Sequence, residues 1–119
     1  MTENGGKKST NVKPLPFYVS LIIGNKLVHN CMVDSGATST VMPKKIANFL
    51  GLKYEPLEKG VVQLDGSSVK TIGVVKNASL TLHSCPNFSI SQDIFVIDLP
   101  AYFAICLSRD FIAKIDGYF

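Results

Sequence analysis

The segment CMVDSGATSTVMP, residues 31–43, ends an apolar run with a carboxylate. Asp34 follows Met32 and Val33 directly and precedes a serine, a glycine, an alanine and three hydroxyl-bearing residues. The two apolar residues would anchor the segment in a core and fix the carboxylate in place, which acid–base chemistry demands. Asp34 is therefore the candidate residue for exchanging a proton with water.

Two predicted strands lead up to Asp34. The sequence LPFYVSLIIGNKLVHNCMVD predicts a first strand near residues 16–23 and a second near residues 26–33. Gly24 and Asn25 stand between them, and a two-residue Gly-Asn step between apolar runs is a hairpin signal. The acid would thus lie at the end of the second hairpin strand.

A short amphipathic helix is predicted after the hydroxyl run. In PKKIANFLGL, Pro43 suits the first helical position and Gly51 suits the stop. Ile46, Phe49 and Leu50 have the i, i+3, i+4 spacing of one helical face, so we expect these three side chains to face the core.

The rest of the chain has the pattern of short strands. GVVQLDGSSVKTIGVV predicts a hairpin over residues 63–71 around Asp65-Gly66, and ASLTLHS and SISQDIFVIDLP predict further strands. AICLSRDFIAKIDGYF predicts a strand, a polar interruption and a short amphipathic piece. Strands at spacings near ten residues predict a compact, mostly antiparallel β-barrel or sandwich with one or two short helices.

Composition and charge narrow the class of protein. With 119 residues, 46% of them hydrophobic and 18% charged, the chain is one globular domain at most. No apolar run approaches the roughly 20 residues of a membrane span, so no membrane partner is expected. Lys7, Lys8 and Lys13 against Glu3 give residues 1–13 a net +2 of the total +3. The remainder is nearly neutral, which argues against a nucleic-acid partner.

Residues 1–13 are polar and are expected to be a flexible leader or an added remnant, outside a domain that spans residues 14–119. This segment lacks the apolar run of a secretory signal. We expect a cytoplasmic location.

Three cysteines are expected to be reduced and packed as small hydrophobes. Two His-x-Cys pairs, His29 with Cys31 and His83 with Cys85, supply four side chains of the types that bind zinc. Their spacing matches no known ligand pattern, and residues i and i+2 of a strand would share one face with core neighbours. No metal and no cofactor are therefore expected.

The ordered set of motifs resembles the retropepsin-like aspartic proteases of LTR retrotransposons and retroviruses. That family has an apolar-apolar-Asp-Ser/Thr-Gly-Ala segment, then a flap hairpin, then a strand ending apolar-apolar-Gly-Arg-Asp/Asn. The matching segments here are MVDSGATSTVMP, LDGSSVKTIG and FVIDLPAYFAICLSRDFI, and together they cover nearly everything from residue 14 to 119. The resemblance implies a closed β-barrel that functions as a C2 homodimer.

Peptide hydrolysis by carboxylates requires two of them sharing one proton, because two adjacent like charges cannot both be ionised. This chain has one Asp-Ser-Gly triplet. The simplest solution is a symmetric homodimer in which each protomer contributes Asp34, with no cofactor. The resemblance implies the same arrangement.

The resemblance also assigns roles around the acid. Gly36 would let its N–H approach the carboxylate, Ser35 would bond across the dimer, and Ala37 would leave room for the backbone of an extended peptide substrate. Thr38 completes this loop. The hairpin would be the flap that closes over the peptide and excludes water. Its candidate substrate-binding residues are Leu64, Asp65, Gly66, Ser67 and Ser68.

Two positions depart from the family pattern. Ser108 stands where a glycine is usual, beneath the active-site loop, where its hydroxyl could crowd the acids or hydrogen-bond near them. Arg109 would pair with an acid after the Asp-Thr-Gly-Ala motif in retroviral relatives, but Thr38 stands there. Its partner could be Asp110, Asp98 or a backbone carbonyl, or it could be a surface arginine.

The leading hypothesis is an aspartic-type endopeptidase that processes a retroelement polyprotein. The alternatives are a cellular retropepsin-like protease domain, a catalytically impaired peptide-binding or dimerisation module motivated by Ser108, and an ordinary turn acid in a β-sandwich. Cleavage at mildly acidic pH, peptide binding without cleavage, or a monomer at all concentrations would separate them.

Overall fold

The computed structural model describes residues 17–64, 66–100 and 102–118. The leader expected at residues 1–13 lies outside the described residues, as does the domain boundary expected at residue 14. No helix in the described part of the chain is long and apolar enough to cross a membrane. The elements are β1 (Phe17–Ile23), β2 (Lys26–Val33), β3 (Val41–Pro43), α1 (Lys44–Phe49), β4 (Glu55–Leu64), β5 (Ser67–Leu82), β6 (Ser89–Ile97), β7 (Ile105–Leu107) and α2 (Arg109–Tyr118).

The strands form a closed barrel with a projecting hairpin. Their order in the sheet is β1-β2-β7-β3-β6-β5-β4, and an additional pairing of β1 with β5 closes a ring of six strands. β4 pairs with β5 alone, and the first part of β5, residues 67–70, pairs only with β4. The prediction of a mostly β, closed barrel with short helices is confirmed.

The first hairpin has the predicted turn. Ile23 is paired with Lys26, so two residues connect β1 and β2. Gly24 has a φ of +64°, in the left-handed region where a side chain would be strained. The turn therefore depends on glycine, as the Gly-Asn step predicted.

Parallel pairing brings the ends of β2 and β7 to one edge of the barrel. Val33 is in register with Leu107, and Met32 with Cys106. Because parallel strands run in the same direction, the residues that follow them emerge side by side. Asp34 and Ser108 are those residues, although 74 positions separate Val33 from its partner.

The main core fills the barrel beneath this edge. Leu21, Ile94 and Ile105 are fully buried in it, and α2 contributes Phe111 from its first turn. The rings of Phe88 and Phe111 meet edge to face, with centroids 5.6 Å apart. This contact fixes α2, and with it the segment that precedes the helix, against the barrel.

Helix α1 confirms the predicted element but not its predicted face. Its fully buried residue is Ala47, and Ile46 and Leu50 are half-buried, whereas Phe49 is 75% exposed. Two residues correspond to about 200° around a helix, so Phe49 points away from the side on which Ala47 is buried. The prediction that Phe49 packs in the core is wrong.

The His-x-Cys pair of β2 does not share one face, contrary to the strand argument. His29 is exposed and its Nδ1 lies 2.8 Å from Ser20 Oγ, while Cys31 is buried. Asn30 between them has a φ of +64°, which breaks the alternation of side chains. Burial raises the pKa of the Cys31 thiol to about 11, as expected for a cysteine packed as a hydrophobe.

Candidate active site

Asp34 is the first residue after β2 and opens a short loop toward β3. Its side chain is half-buried, and Oδ1 accepts a hydrogen bond of 2.9 Å from the N–H of Gly36. Its backbone N–H donates to Leu107 O at 3.2 Å, and its carbonyl accepts from Ala37 N at 3.0 Å. The carboxylate therefore points out of a tight turn whose backbone is fixed on both sides.

Gly36 leaves the space that this turn requires. A Cβ placed on Gly36 would lie 3.3 Å from Asp34 Oδ1, tighter than nearly all ordinary contacts of a Cβ. The glycine lets its N–H approach the carboxylate without a side chain in the way, which is the geometry that the sequence suggested. Ser35 and Thr38 are exposed on either side, and Ala37 is buried at 1% exposure.

Three consecutive residues, the last of β7 and the two that follow it, hold the loop from below. Leu107 accepts the hydrogen bond from Asp34, and the N–H of Arg109 donates to Ala37 O at 3.0 Å. Between them, the N–H of Ser108 donates to Thr40 Oγ1 at 3.2 Å. Segment 107–109 thus contacts the beginning, the middle and the end of the loop 34–40.

Ser108 is buried at 3% exposure, as expected for a residue beneath the loop. Its Oγ lies 3.3 Å from Thr40 Oγ1, which also donates to Gln92 Oε1 at 2.9 Å. The hydroxyl that replaces the usual glycine therefore has a partner at the far end of the loop. Sequence reasoning missed Gln92, which lies in a half-buried position of β6 with no motif to mark it.

Arg109 begins α2 and its side chain is exposed. Among the described residues its guanidinium forms no ion pair with Asp98 or Asp110, the two acids considered as partners, and only its backbone contacts the loop. Asp110 is exposed in the first turn of α2, where an acid complements the helix dipole. Among the described residues, neither side chain forms a hydrogen bond with Asp34.

The β4–β5 hairpin projects from the barrel, and Gly66 lies in its turn. Leu64 pairs with Ser67 across the turn, and Gly66 has a φ of +79°, which requires glycine. Ser67 and Ser68 are exposed, and Ser68 Oγ accepts a hydrogen bond from the Gln63 side chain at 2.9 Å. Asp65, the remaining predicted residue of this hairpin, lies outside the described residues.

A second apolar cluster, separate from the main core, connects this hairpin to the Asp34 loop. Val62 and Leu64 from β4 and Val69 from β5 belong to it, together with residues of β2, β3, β6 and β7. The sequence did not mark this cluster, because its members come from distant strands. Its remaining members are Met32, Ala37, Val41, Phe95, Ile97, Phe103 and Cys106.

No group of three or more histidine, cysteine, aspartate or glutamate side chains that could hold a metal ion is found in ranges 17–64, 66–100 and 102–118. The described site has one carboxylate per chain, which lies at the barrel edge beside the second apolar cluster. A single carboxylate can accept or give a proton, but it cannot do both at the same time.

Comparison with known families identifies the group to which this fold belongs. Residues 19–94 match the family model described as "gag-polyprotein putative aspartyl protease". The chain belongs to this aspartyl protease family. The match includes the Asp-Ser-Gly loop, α1, both hairpins and most of β6. No curated protein matches the chain.

Solved structures of retropepsin-like proteins share the fold of this aspartyl protease. The EIAV protease complexed with the inhibitor HBY-793 has a TM-score of 0.64 and 16% identity, covering 92% of this chain and 94% of that one. The retroviral protease-like domain of Ddi1 from Leishmania major has a TM-score of 0.62 and 22% identity, with coverages of 85% and 78%. A retropepsin-like aspartic protease from Rickettsia conorii has a TM-score of 0.56 and 20% identity, with coverages of 82% and 70%.

Proposed function

We propose that this protein is a homodimeric aspartic endopeptidase that hydrolyses peptide bonds of a retroelement polyprotein. The observation that carries the proposal is the single Asp34, held at the barrel edge by Gly36 and Leu107 in a chain of the aspartyl protease family. One half-buried carboxylate is half of an acid–base pair. A second copy related by a twofold axis would supply the other half.

The reaction follows from two carboxylates that share one proton. The ionised Asp34 accepts a proton from a water molecule as the water oxygen attacks the peptide carbonyl carbon. The protonated Asp34 of the other protomer donates its proton to the carbonyl oxygen. As the tetrahedral intermediate breaks down, the first Asp34 donates its proton to the amide nitrogen and the C–N bond breaks. The other Asp34 takes a proton back from a hydroxyl of the intermediate, which becomes the new carboxyl group, and the shared-proton state is restored.

The β4–β5 hairpin is proposed as the flap above the substrate. It pairs with the barrel only at its base, and its tip carries Gly66 in a conformation without a side chain to obstruct a peptide backbone. Val62 and Leu64 lie on the second apolar cluster, next to Ala37 of the loop. An extended peptide bound between the hairpin and the second apolar cluster would present alternate side chains to that cluster.

A cellular protease domain is the second candidate. The fold likeness to the protease-like domain of Ddi1 favours it, since that protein is similar over 85% of this chain. The impaired-module hypothesis has less support than the sequence suggested. That hypothesis was based on Ser108. The hydroxyl of Ser108 lies beside Thr40, and among the described residues it forms no hydrogen bond with Asp34.

The test uses an unfolded, carboxymethylated polypeptide as substrate across mildly acidic pH. We expect cleavage with a bell-shaped pH profile, because the pair must hold one proton in total. Activity per chain should fall steeply on dilution below the dissociation constant of the dimer, as followed by sedimentation. A chain that stays monomeric, or binds the polypeptide without cleaving it, would refute the proposal.

The two candidate substrates need a separate comparison. Incubation with a retroelement gag polyprotein as probe should yield discrete products if the polyprotein is the substrate. Discrete cleavage of folded cellular proteins in a cell extract, with the gag polyprotein left intact, would favour the cellular candidate. A retroelement protease would be located in retroelement particles or in the cytoplasm. A cellular protease would be located in the cytoplasm.

A further inference from the structure

Thr40 is the centre of a hydrogen-bond network, here called the Thr40 network, that consists of Thr40, Gln92 and Ser108. Its side-chain hydroxyl hydrogen is shared between Gln92 Oε1 at 2.9 Å and Ser108 Oγ at 3.3 Å. The same oxygen accepts the N–H of Ser108 at 3.2 Å. Thr40 and Ser108 are each 3% exposed, so their two contacts with each other are buried, whereas the contact with the half-buried Gln92 is partly exposed.

The network joins three elements that are far apart in the sequence. Thr40 ends the Asp34 loop, Gln92 lies within β6 and Ser108 lies between β7 and α2. The backbone carbonyl of Thr40 also accepts from Phe95 N at 2.9 Å, which fixes the residue against β6 a second time. One hydroxyl group therefore sets the position of the loop end relative to both β6 and the 107–109 segment.

The position of Asp34 depends on this arrangement because its carboxylate has little other support. Among the described residues, the Asp34 carboxylate accepts a hydrogen bond only from the N–H of Gly36, which belongs to the same loop. The loop backbone is bonded to Leu107 and Arg109, the two neighbours of Ser108. A shift of Ser108 would move both of these contacts, and the carboxylate would move with them.

We propose that Thr40, Gln92 and Ser108 are positioning residues for the Asp34 carboxylate, an inference that rests on the proposed protease function. The serine in place of the family's glycine adds a hydroxyl contact to an oxygen that already accepts its N–H. The network acts on the geometry of the acid pair, and none of its three residues belongs to the second apolar cluster that would hold the peptide. Its loss should therefore lower kcat and leave KM nearly unchanged.

The experiment compares Thr40→Val with Thr40→Ser, which keeps the hydroxyl. We expect Thr40→Val to lower kcat about tenfold to a hundredfold, since small misplacement of a reacting group has effects of this size. Thr40→Ser should retain kcat within about threefold. The matched control is Thr81→Val, which removes a hydroxyl 3.1 Å from Ser89 Oγ on the β5–β6 pair, and it should leave kcat unchanged.

Rates are expressed per dimer competent to bind a tight transition-state mimic, so that partial unfolding does not count as lost turnover. Equal kcat for Thr40→Val and Thr81→Val would overturn the inference. If Thr40→Val does not fold, Gln92→Leu decides: a kcat lower by about tenfold supports the network, and an unchanged kcat overturns it. An inactive wild type would overturn the proposed function itself, whereas active wild type with unaffected variants overturns only this inference.

Discussion

Replacing Asp34 with asparagine separates the chemistry of the site from its stability. The carboxylate accepts a hydrogen bond of 2.9 Å from the N–H of Gly36, and an asparagine Oδ1 can accept the same bond. The side chain is half-buried, so its replacement by a neutral isostere should change the free energy of unfolding by no more than about 1 kcal/mol. Cleavage should fall by at least about a thousandfold, because the amide can neither accept nor donate the shared proton.

Mixing wild-type and Asp34→Asn chains tests whether the acid pair comes from two protomers. If wild-type and Asp34→Asn chains pair at random, the fraction of dimers with two aspartates is the square of the wild-type fraction. An equal mixture should keep about one quarter of the activity of wild type at the same total concentration. A site complete within one chain would keep about one half.

The assay mixes the chains at high concentration, allows protomers to exchange, and measures initial cleavage rates over a series of wild-type fractions. The total chain concentration stays constant and well above the dissociation constant. Asp98→Asn, at an exposed acid after β6, is the control and should leave the rate unchanged at every fraction. A linear dependence on the wild-type fraction would refute the reasoning that places half a site on each chain.

Three further changes follow from close contacts and burial. Gly36→Ala puts a Cβ 3.3 Å from Asp34 Oδ1 and should lower kcat about tenfold, measured with KM on the unfolded substrate. Cys31→Ala tests the raised pKa: the folded state holds the thiol proton more tightly, so wild-type stability is full below pH 9.0 and declines by about 2–3 kcal/mol toward pH 11. The stability of the alanine variant should decline less over that interval in chemical denaturation. Thr71→Val removes a buried hydroxyl that has no hydrogen-bond partner among the described residues and should raise the free energy of unfolding by about 1 kcal/mol in the same assay.

Each of these has an outcome that would contradict it. Full turnover in Gly36→Ala would mean that the loop accommodates a methyl group without moving the carboxylate. Parallel pH profiles for wild type and Cys31→Ala would show that the thiol titrates equally in the folded and unfolded states. A destabilised Thr71→Val would show that the hydroxyl has a favourable interaction in solution.

The sequence alone was enough to predict the parts of the fold that depend on local chemistry. Gly24 determines the first turn through its positive φ, and the alternation around it determines both strands. Asp34 was selected as the candidate acid because a carboxylate directly follows an apolar strand within an ordered set of motifs, and its catalytic role stays a prediction. The number and spacing of the strands predicted a β-barrel or a sandwich, and the family resemblance implied the closed barrel.

What the sequence could not predict depends on contacts between distant residues. Phe49 has the spacing of a core residue, yet a helix of six residues buries only the side that meets the barrel, which is set by Ala47. Gln92 carries no local signal, since its role comes from an oxygen 52 positions away. The partner of Ser108 was equally hidden, because 68 positions separate it from Thr40.

The parallel pairing of β2 with β7 sets the order in which the site can form during synthesis. Asp34 leaves the ribosome early, but the groups that bond its loop are Leu107, Ser108 and Arg109, near the end of the described domain. Until those residues are made and β7 is inserted between β2 and β3, the loop lacks its hydrogen bonds to segment 107–109 and is bonded only at its end, to β6. Contacts of such long sequence separation form late in folding. A nascent chain therefore carries the acid without its final geometry until β7 and the start of α2 have been made.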